Sequence, residues 1–358
     1  MRLAFHDHRA DPAAWAKSLG ISREAVDLYL ASEVIDLHVD SFIWTRVFGY
    51  DLRERHDEGL LGAHFYSQVD FPRILEAQVS GATWVITTNP ARPAGERRAV
   101  FRENYRELLR IFDSVHEQFA VVRTAAEYRA ARAAGKHAAF VGVQGGNALD
   151  ATPDALDDVP DQGLLRVTVV HLTSSGLGRT STPIGGGEDT GLSQAGRDYV
   201  RHLQAKKIFV DLAHVSRQGF FDALEEHDRS QPVLVTHTGV SGVLPHWRNL
   251  DDEQIKAVAD LGGTIGIIYQ GGFIDGATWG GRLEGVVRHL EHVRDLVGDD
   301  FVSLGSDWDG MICTPRDMPT ILELPRLADH MLGRGWKPES IQKVLGKNAL
   351  RVIEQLRG

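Results

Sequence analysis

Apolar residues recur along the chain in short, nearly continuous runs, and each run is followed by a stretch with helical character. Eight such runs are rich in β-branched residues, and they span residues 34–40, 81–89, 138–146, 164–173, 207–216, 233–240, 263–270 and 301–310. Continuous apolar runs, as opposed to strict alternation of polar and apolar positions, are typical of strands covered on both faces of a parallel sheet. The pattern therefore predicts eight buried parallel strands.

The segments between these runs show the periodicity of amphipathic helices. In residues 96–117, for example, Phe101, Tyr105, Leu108 and Phe112 recur at helical spacing. Further helices are predicted over residues 193–205, 253–261, 283–297 and 340–356. Strands that alternate with helices in this way predict an α/β fold, a single closed (β/α)8 barrel of the TIM type. An open, doubly wound sheet is the alternative, and it is disfavoured because no glycine-rich phosphate-binding fingerprint follows the first strand.

We expect residues 1–358 to form one domain. Residues 1–33 are predicted to be a short helical N-terminal lead-in, residues 34–310 to hold the barrel strands and helices, and residues 311–358 to form C-terminal helices. A chain of this length can bury the large core that a barrel requires.

Composition and charge narrow the range of partners and compartments. The formal net charge of −10 leaves no basic surplus for phosphates, so we expect no nucleic-acid partner and no anionic membrane partner. The single cysteine, Cys313, cannot form an internal disulfide, which favours a reducing compartment. The first residues lack the apolar run of a signal peptide, and no segment reaches the length of a transmembrane span. A cytoplasmic location is therefore expected.

Polar side chains capable of metal binding or catalysis stand at the carboxyl-terminal ends of the apolar runs. They are His38, Asp40, Gln144, His171, His214, His237 and Asp307. Active-site residues of (β/α)8 barrels come from these ends of the strands. We therefore expect all seven side chains to surround one pocket.

His38 and Asp40 form the first candidate pair. Residues i and i+2 of a strand point to the same face, so this imidazole and this carboxylate can converge on one ion. An isolated His-x-Asp sequence is more often a salt-linked pair. Together with His214 and His237 from later strands, however, it favours a site for Zn²⁺ or a similar divalent ion.

Three further residues are candidates for catalysis and substrate binding. Asp307, in GSDWDG, could bind metal or take a proton from metal-bound water, and Asp309 competes with it because strand parity places both on one face. His171 could donate a hydrogen bond to a substrate carbonyl. Arg248 could bind a substrate carboxylate with both arms of its guanidinium. Taken alone, His171 fits a buried structural histidine equally well, and Arg248 fits a solvent-facing arginine.

Six short motifs, in this order and spacing, resemble the renal (membrane) dipeptidase family of amidohydrolase-like metallopeptidases. They are DLHVD, VVHLT, VDLAHVS, VTHTGV, the RN of residues 248–249 and GSDWDG, and the similarity runs from Ile35 to the C-terminus. The resemblance implies a (β/α)8 barrel with a binuclear zinc site. It also implies hydrolysis of dipeptides, often those with a D-residue at the C-terminal position, by a metal-bound hydroxide.

The resemblance further implies a role for each candidate residue. The metal ligands would be His38 and Asp40 for the first zinc and His214 and His237 for the second. His171 would bind the substrate carbonyl, Arg248 would bind the substrate carboxylate, and Asp307 would be the catalytic, proton-handling carboxylate. The partner would be a small, dipeptide-like substrate, and the oligomeric state is open, with a homodimer among the options.

One position departs from the family pattern. The family has a glutamate that bridges both metals at the end of the third strand, and this sequence has Gln144 there, in GVQGG. An amide has one neutral oxygen and a non-ligating NH₂ in place of two anionic oxygens, so it cannot bridge in the same way. We therefore expect one or two zinc ions per chain, with fewer than two held tightly. Asn147 also replaces a histidine of that loop, and Glu188 or Asp189 could supply a replacement charge.

Three functions remain open from the sequence. The first is a metal-dependent dipeptidase. The second is a one-metal amidohydrolase with a different substrate, since a single zinc ion can also activate water. The third is a catalytically silent homologue that binds a peptide-like ligand. Gln144 is the feature that keeps the second and third open.

Overall fold

The computed structural model describes residues 1–59, 61–89, 91–149, 155–183 and 187–358. Within them, the strands are β1 Ile35–Val39, β2 Gly81–Thr87, β3 Phe119–Val121, β4 His137–Gln144, β5 Arg166–Thr168, β6 Phe209–Asp211, β7 Leu234–Thr238, β8 Thr264–Ile267 and β9 Val302–Leu304. The α-helices are α1 Pro12–Leu19, α2 Arg23–Leu30, α3 Phe42–Phe48, α4 Phe71–Glu76, α5 Ala94–Ser114, α6 Ala125–Ala133, α7 Gln194–Ala205, α8 Arg217–Glu226, α9 Asp252–Asp260, α10 Gly271–Ile274, α11 Leu283–Val297, α12 Pro325–Gly333, α13 Pro338–Gln342 and α14 Asn348–Arg357.

Eight of these strands close into a parallel barrel. Their order is β1, β2, β4, β5, β6, β7, β8 and β9, and β9 pairs with β1 to complete the circle. The longest ladder joins β2 to β4, with Gly81 opposite Ala138 and Thr87 opposite Gln144. The barrel that the sequence predicts is confirmed, and each of the eight predicted runs overlaps one of its strands.

The ninth strand, β3, is an addition that the sequence analysis did not predict. It pairs with the amino-terminal half of β4, where Phe119 lies opposite His137, whereas β5 pairs with the carboxyl-terminal half, where Gly142 lies opposite Arg166. The carboxyl-terminal ends of the barrel strands form the mouth of the barrel. The strand β3 therefore extends the sheet at the opposite end. Its three residues are too few to show a period.

Two glycines allow the strands beneath the mouth to approach one another. A β-carbon added to Gly305 would lie 1.8 Å from the carbonyl oxygen of Thr236, and one added to Gly266 would lie 2.0 Å from the same atom. Any side chain at either glycine would collide with the backbone of β7. The close approach brings β7, β8 and β9 together directly below the polar residues of the mouth.

Helices before and after the barrel strands complete the structure. In the predicted lead-in, Asp11 caps α1 by accepting from the backbone N–H of Ala14, and Ser22 caps α2 in the same way. At the other end of the chain, α14 buries Val352 and Ile353 in one apolar cluster with Ile35 of β1. Of the helices just defined, none is both long and apolar enough to cross a lipid bilayer.

Candidate metal centre

The polar residues predicted from the sequence come together at the carboxyl-terminal mouth of the barrel. A cavity of about 730 Å³ opens there, and its lining includes Asp40, Gln144, His171, His214, Arg248 and Asp307. His38 and His237 lie beneath it and are completely buried. His214 and Asp307 have left-handed backbone conformations, with φ of 66° and 65°. Such strained conformations of non-glycine residues concentrate at functional sites.

The distances between these side chains define one cluster. His38 Nε2 lies 3.5 Å from Asp40 Oδ2 and 3.4 Å from Asp307 Oδ1. His214 Nε2 lies 2.8 Å from His237 Nε2. Candidate ligand atoms of His38, His237 and Asp307 all lie within 4.8 Å of one another. The two pairs expected from the sequence are therefore neighbours, and Asp307 lies beside the first of them.

The donor atoms of this cluster fit a divalent metal ion. His38 Nε2 is buried and forms no hydrogen bond within the described residues, although buried polar atoms nearly always have a partner. Imidazole nitrogens and carboxylate oxygens are the ligands that zinc and related dications bind in proteins. The residues present thus offer the right chemistry at the right separation.

Burial keeps the histidines of the cluster in the form that binds metal. Loss of solvent lowers the pKa of His214 and of His237 well below 6.5, and the neighbouring charge of Arg248 acts in the same direction. Burial also lowers the pKa of His38. Because a metal competes with protons for the ring nitrogens, the loss of positive charge from these rings favours the binding of an ion at neutral pH.

The two carboxylates of the cluster differ in their ionisation. Burial works to raise the pKa of Asp40, but the adjacent His38 and a hydrogen bond from Thr87 outweigh it, and the pKa lies below 3.8. Burial, followed by the charge of Asp40, raises the pKa of Asp307 well above 3.8. Without a cation between them, two such close carboxyl groups cannot both be charged at low cost.

Gln144 lies between the two pairs of candidate ligands. One end of its amide is 3.1 Å from His214 Nε2 and 3.2 Å from His237 Nε2, and the other end is 3.1 Å from Thr87 Oγ1. The amide oxygen faces the hydroxyl of Thr87, and the NH₂ group faces the two ring nitrogens, to which it can donate. In this orientation Gln144 presents neither a charge nor a ligand oxygen to the histidines.

The family of the chain follows from comparison with known proteins. The model of the membrane dipeptidase family, peptidase family M19, matches residues 22–357. The chain belongs to this family. The resemblance seen in the six motifs is thereby confirmed, and this M19 protein is placed among dipeptidase-type metallopeptidases, so a metal is implied.

Individual relatives agree with this assignment. The chain is 33% identical over 176 residues to an uncharacterized protein in the pqqA 5′ region of Klebsiella pneumoniae. The matched region covers 48% of this chain and 64% of the relative. It is 27% identical over 301 residues to dipeptidase tcpJ of Claviceps purpurea (strain 20.1). That match covers 80% of this chain and 69% of the relative. The matches thus span about two thirds of the length of these relatives.

Two solved structures share the fold over nearly their whole length. One is dipeptidase AC, a metallopeptidase of family M19, with a TM-score of 0.80 and 27% identity over 90% of this chain and 98% of that one. The other is a metallopeptidase from Rhodobacter sphaeroides bound to a phosphinate mimic of the dipeptide L-Ala-D-Ala, with a TM-score of 0.80 and 26% identity over 90% of this chain and 99% of that one.

A buried ion pair that the sequence analysis missed lies beneath the histidines of this M19 protein. Arg166 Nη1 is 3.2 Å from Asp211 Oδ2, and neither side chain is exposed. Arg166 also donates to His38 Nδ1 over 2.7 Å, so the one proton of the neutral His38 ring lies on Nε2, and an ion bound there would displace it. Both charged residues stand inside predicted apolar runs, LLRVTVV and IFVDLAH, and that interruption was the signal available in the sequence.

The same ion pair orients His237 through a hydroxyl group. Thr236 Oγ1 donates to Asp211 Oδ2 over 2.7 Å and lies 2.9 Å from His237 Nδ1. Because the hydroxyl proton is committed to Asp211, the oxygen of Thr236 accepts from His237 Nδ1–H. This arrangement leaves His237 Nε2 unprotonated and directed at the cluster.

His171 and Arg248 lie where the sequence predicts, at the wall of the cavity. The ring of His171 is 4.7 Å from that of His214, and burial lowers the pKa of His171 to about 3. Arg248 is 3% exposed and donates to the carbonyl oxygen of His237 over 2.6 Å. Their positions suit substrate contacts, and those roles remain predictions.

Two loop carboxylates do not supply the charge that Gln144 lacks. Glu188 and Asp189 are exposed, and neither lines the cavity. Asp189 instead accepts from the backbone N–H of Gln218 over 2.9 Å. The negative charge at the mouth therefore comes from the carboxylates of the cluster itself.

Asp309, the competitor of Asp307, faces a different part of the molecule. Its oxygens accept from the backbone N–H groups of Gln68 over 2.7 Å and Val69 over 3.2 Å, and from the hydroxyl of Ser41. The alternation of side chains along a strand does not predict where these two side chains point. The strand β9 ends before both residues, and each has a left-handed backbone conformation. Asp307 thus lines the cavity, and Asp309 links the segment after β9 to Ser41, Gln68 and Val69 by hydrogen bonds.

This difference predicts opposite effects on stability. Asp309→Ala should lower the free energy of unfolding of the metal-free protein by about 2–4 kcal/mol, because three buried donors lose their acceptor. Asp307→Ala, the matched control from the same loop, should leave stability unchanged or raise it, because it removes a buried carboxyl group that faces Asp40. Urea denaturation at pH 7 measures both variants. A larger loss in Asp307→Ala than in Asp309→Ala would contradict the assignment.

Proposed function

We propose that this M19 protein is a metal-dependent dipeptidase that hydrolyses the amide bond of a dipeptide at the mouth of the barrel. The observation that carries the proposal is the single buried cluster formed by His38, Asp40, His214, His237 and Asp307 in one substrate-sized cavity. Two relatives support it, since one is named a dipeptidase and another binds a mimic of L-Ala-D-Ala.

We assign the metal ligands by their grouping in the cluster. His38 and Asp40 would hold one ion with Asp307 beside them, and His214 and His237 would hold the other, with the uncharged amide of Gln144 between the two. Zinc suits this mixture of nitrogen and oxygen donors. A bound dication would polarise the scissile carbonyl group and lower the pKa of a water molecule.

Arg248 and His171 are proposed to orient the substrate. Burial lowers the pKa of Arg248 to about 10, so its guanidinium remains charged at neutral pH, and its Nε is buried without a partner in the described structure. It can therefore pair with the free carboxylate of a dipeptide. His171 is neutral at pH 7 and can donate one ring N–H to the substrate carbonyl oxygen.

Asp307 is proposed to move the proton that the reaction requires. Its carboxyl group lies at the cavity wall next to His38, beside the proposed metal ligands. It would accept a proton from the attacking water and return it to the departing amine. A single group can perform both transfers because they occur in succession.

The compartment and the partners belong to the same proposal. Cys313 is buried and unpaired, which suits a reducing compartment, and we propose the cytoplasm. The expected partner is a small dipeptide-like substrate. The excess of negative charge in the sequence disfavours nucleic acid as a ligand.

The role of Arg248 leads to a kinetic test of the function. Zinc-loaded protein should hydrolyse dipeptides with a free carboxylate, and Arg248→Ala should raise their KM about tenfold or more because a charge-assisted pair is lost. The metal content should not change. Dipeptide amides serve as the control, since they lack the carboxylate and should respond little to the substitution. No hydrolysis of any dipeptide by the zinc-loaded wild type would contradict the function, and an unchanged KM would contradict the role of Arg248.

The neutral side chain at position 144 leads to a test of metal content. Wild-type protein should hold fewer than two tight zinc ions per chain, because the cluster has only Asp40 and Asp307 to offset two dications. Gln144→Glu should raise the stoichiometry towards two by adding a charge between the histidines. Gln270→Glu adds the same charge elsewhere in the cavity lining and is the matched control. Metal analysis after dialysis gives the result, and full, tight occupancy of two sites in the wild type would show the reasoning wrong.

A further inference from the structure

A small side pocket opens from the main cavity beside the ends of β1 and β2. Its volume is about 30 Å³, and Arg46, Arg92 and Asn104 line both it and the main cavity. Among its described lining residues, three are arginines, the third being Arg97, and none is Asp or Glu. This is a concentration of positive charge that the metal cluster and Arg248 do not account for.

Arg46 and Arg92 line both pockets, and nearby groups compensate their positive charges only in part. Arg46 uses Nη1 to donate to the carbonyl oxygen of Thr87 over 3.0 Å, and its Nε is buried without a partner in the described structure. Arg92 lies 3.8 Å from Glu96, but that carboxylate is 62% exposed. Asp40 also attracts Arg46, but it already accepts a hydrogen bond from the hydroxyl of Thr87. Positive charge thus remains available to an anion in the cavity.

The position of this charge relative to Arg248 indicates which part of a substrate would reach it. In the strand order of the barrel, β2 and β7 stand directly across from each other. Arg92 follows β2 and Arg248 follows β7, and both line the cavity that Asp40, His214 and Asp307 of the metal cluster also line. If Arg248 binds the carboxylate of a dipeptide and the cluster holds the scissile bond, the amino-terminal residue extends towards Arg46 and Arg92.

We propose that the side pocket binds an acidic side chain on the amino-terminal residue of the substrate, so that this enzyme prefers dipeptides that begin with glutamate or aspartate. This inference rests on the proposed function and names its substrate class. A volume of about 30 Å³ holds one or two water-sized groups, which suits a carboxylate and not a larger side-chain body. Guanidinium groups match a carboxylate in geometry as well as in charge.

The test compares two ligands that differ only in charge. Phosphinate mimics of Glu-Ala and Gln-Ala are titrated into the zinc-loaded protein by calorimetry, and hydrolysis of the corresponding dipeptides is recorded separately. Wild type should bind the glutamate ligand at least about tenfold more tightly, the effect of one charge-assisted pair. Arg92→Gln should reduce that ratio towards one. Arg110→Gln is the matched control on α5, because Arg110 is 69% exposed and pairs with Glu107 on the surface.

The outcomes distinguish failure of the side-pocket inference from failure of the proposed dipeptidase activity. Equal affinity for the two mimics in wild type, or a ratio that Arg92→Gln leaves intact while the variant melts like wild type, overturns this inference. A strong preference for the glutamate mimic without hydrolysis of either dipeptide supports the side pocket and contradicts the proposed activity. Failure of both mimics to bind overturns the two proposals together.

Discussion

The mouth of this barrel depends on the buried ion pair between Arg166 and Asp211. Each charge alone would be costly to bury, and the pair is tolerated because most of its remaining polar atoms are hydrogen-bonded, with Arg166 Nε an exception in the described structure. Asp211 accepts from the hydroxyls of Thr168 and Thr236 and from the backbone of Ala213. Since Arg166 holds the ring of His38 and Thr236 holds that of His237, one ion pair fixes histidines from two separate strands. The histidines are thus positioned before any ligand binds.

The charge of the cluster above this ion pair is unbalanced in a way that favours a cation. Neutral imidazoles and two facing carboxyl groups surround a space with little solvent, and the raised pKa of Asp307 shows the cost of leaving that negative charge unshared. A dication would remove this cost. In contrast, Gln144 contributes no charge where the family has a glutamate, so the same cluster stabilises a second dication poorly. The fold thus suits a metal, and the charge of the cluster predicts that fewer than two ions are held tightly.

The sequence was sufficient for the barrel and for the composition of the cluster, because both follow from local patterns. Continuous apolar runs locate parallel strands, and the polarity of a barrel places the ends of these runs at one mouth. The Arg166–Asp211 pair could not be predicted in the same way, since the partner of a charged residue in a strand lies on another strand. The choice between Asp307 and Asp309 depends on backbone turns after β9 that have no sequence period. The arginines of the side pocket likewise come from separate segments that only the folded chain brings together.

The central claim is that the histidine cluster at the mouth is a metal centre, and anomalous diffraction from crystals of the zinc-loaded protein tests it most directly. The account predicts a strong zinc peak within about 2.0–2.2 Å of His38 Nε2 and of a carboxylate oxygen of Asp40, beside Asp307. It predicts a weaker, partly occupied peak beside the Nε2 atoms of His214 and His237, next to the uncharged Gln144. Crystals that bind zinc elsewhere, with no anomalous peak inside the cluster, would contradict the account.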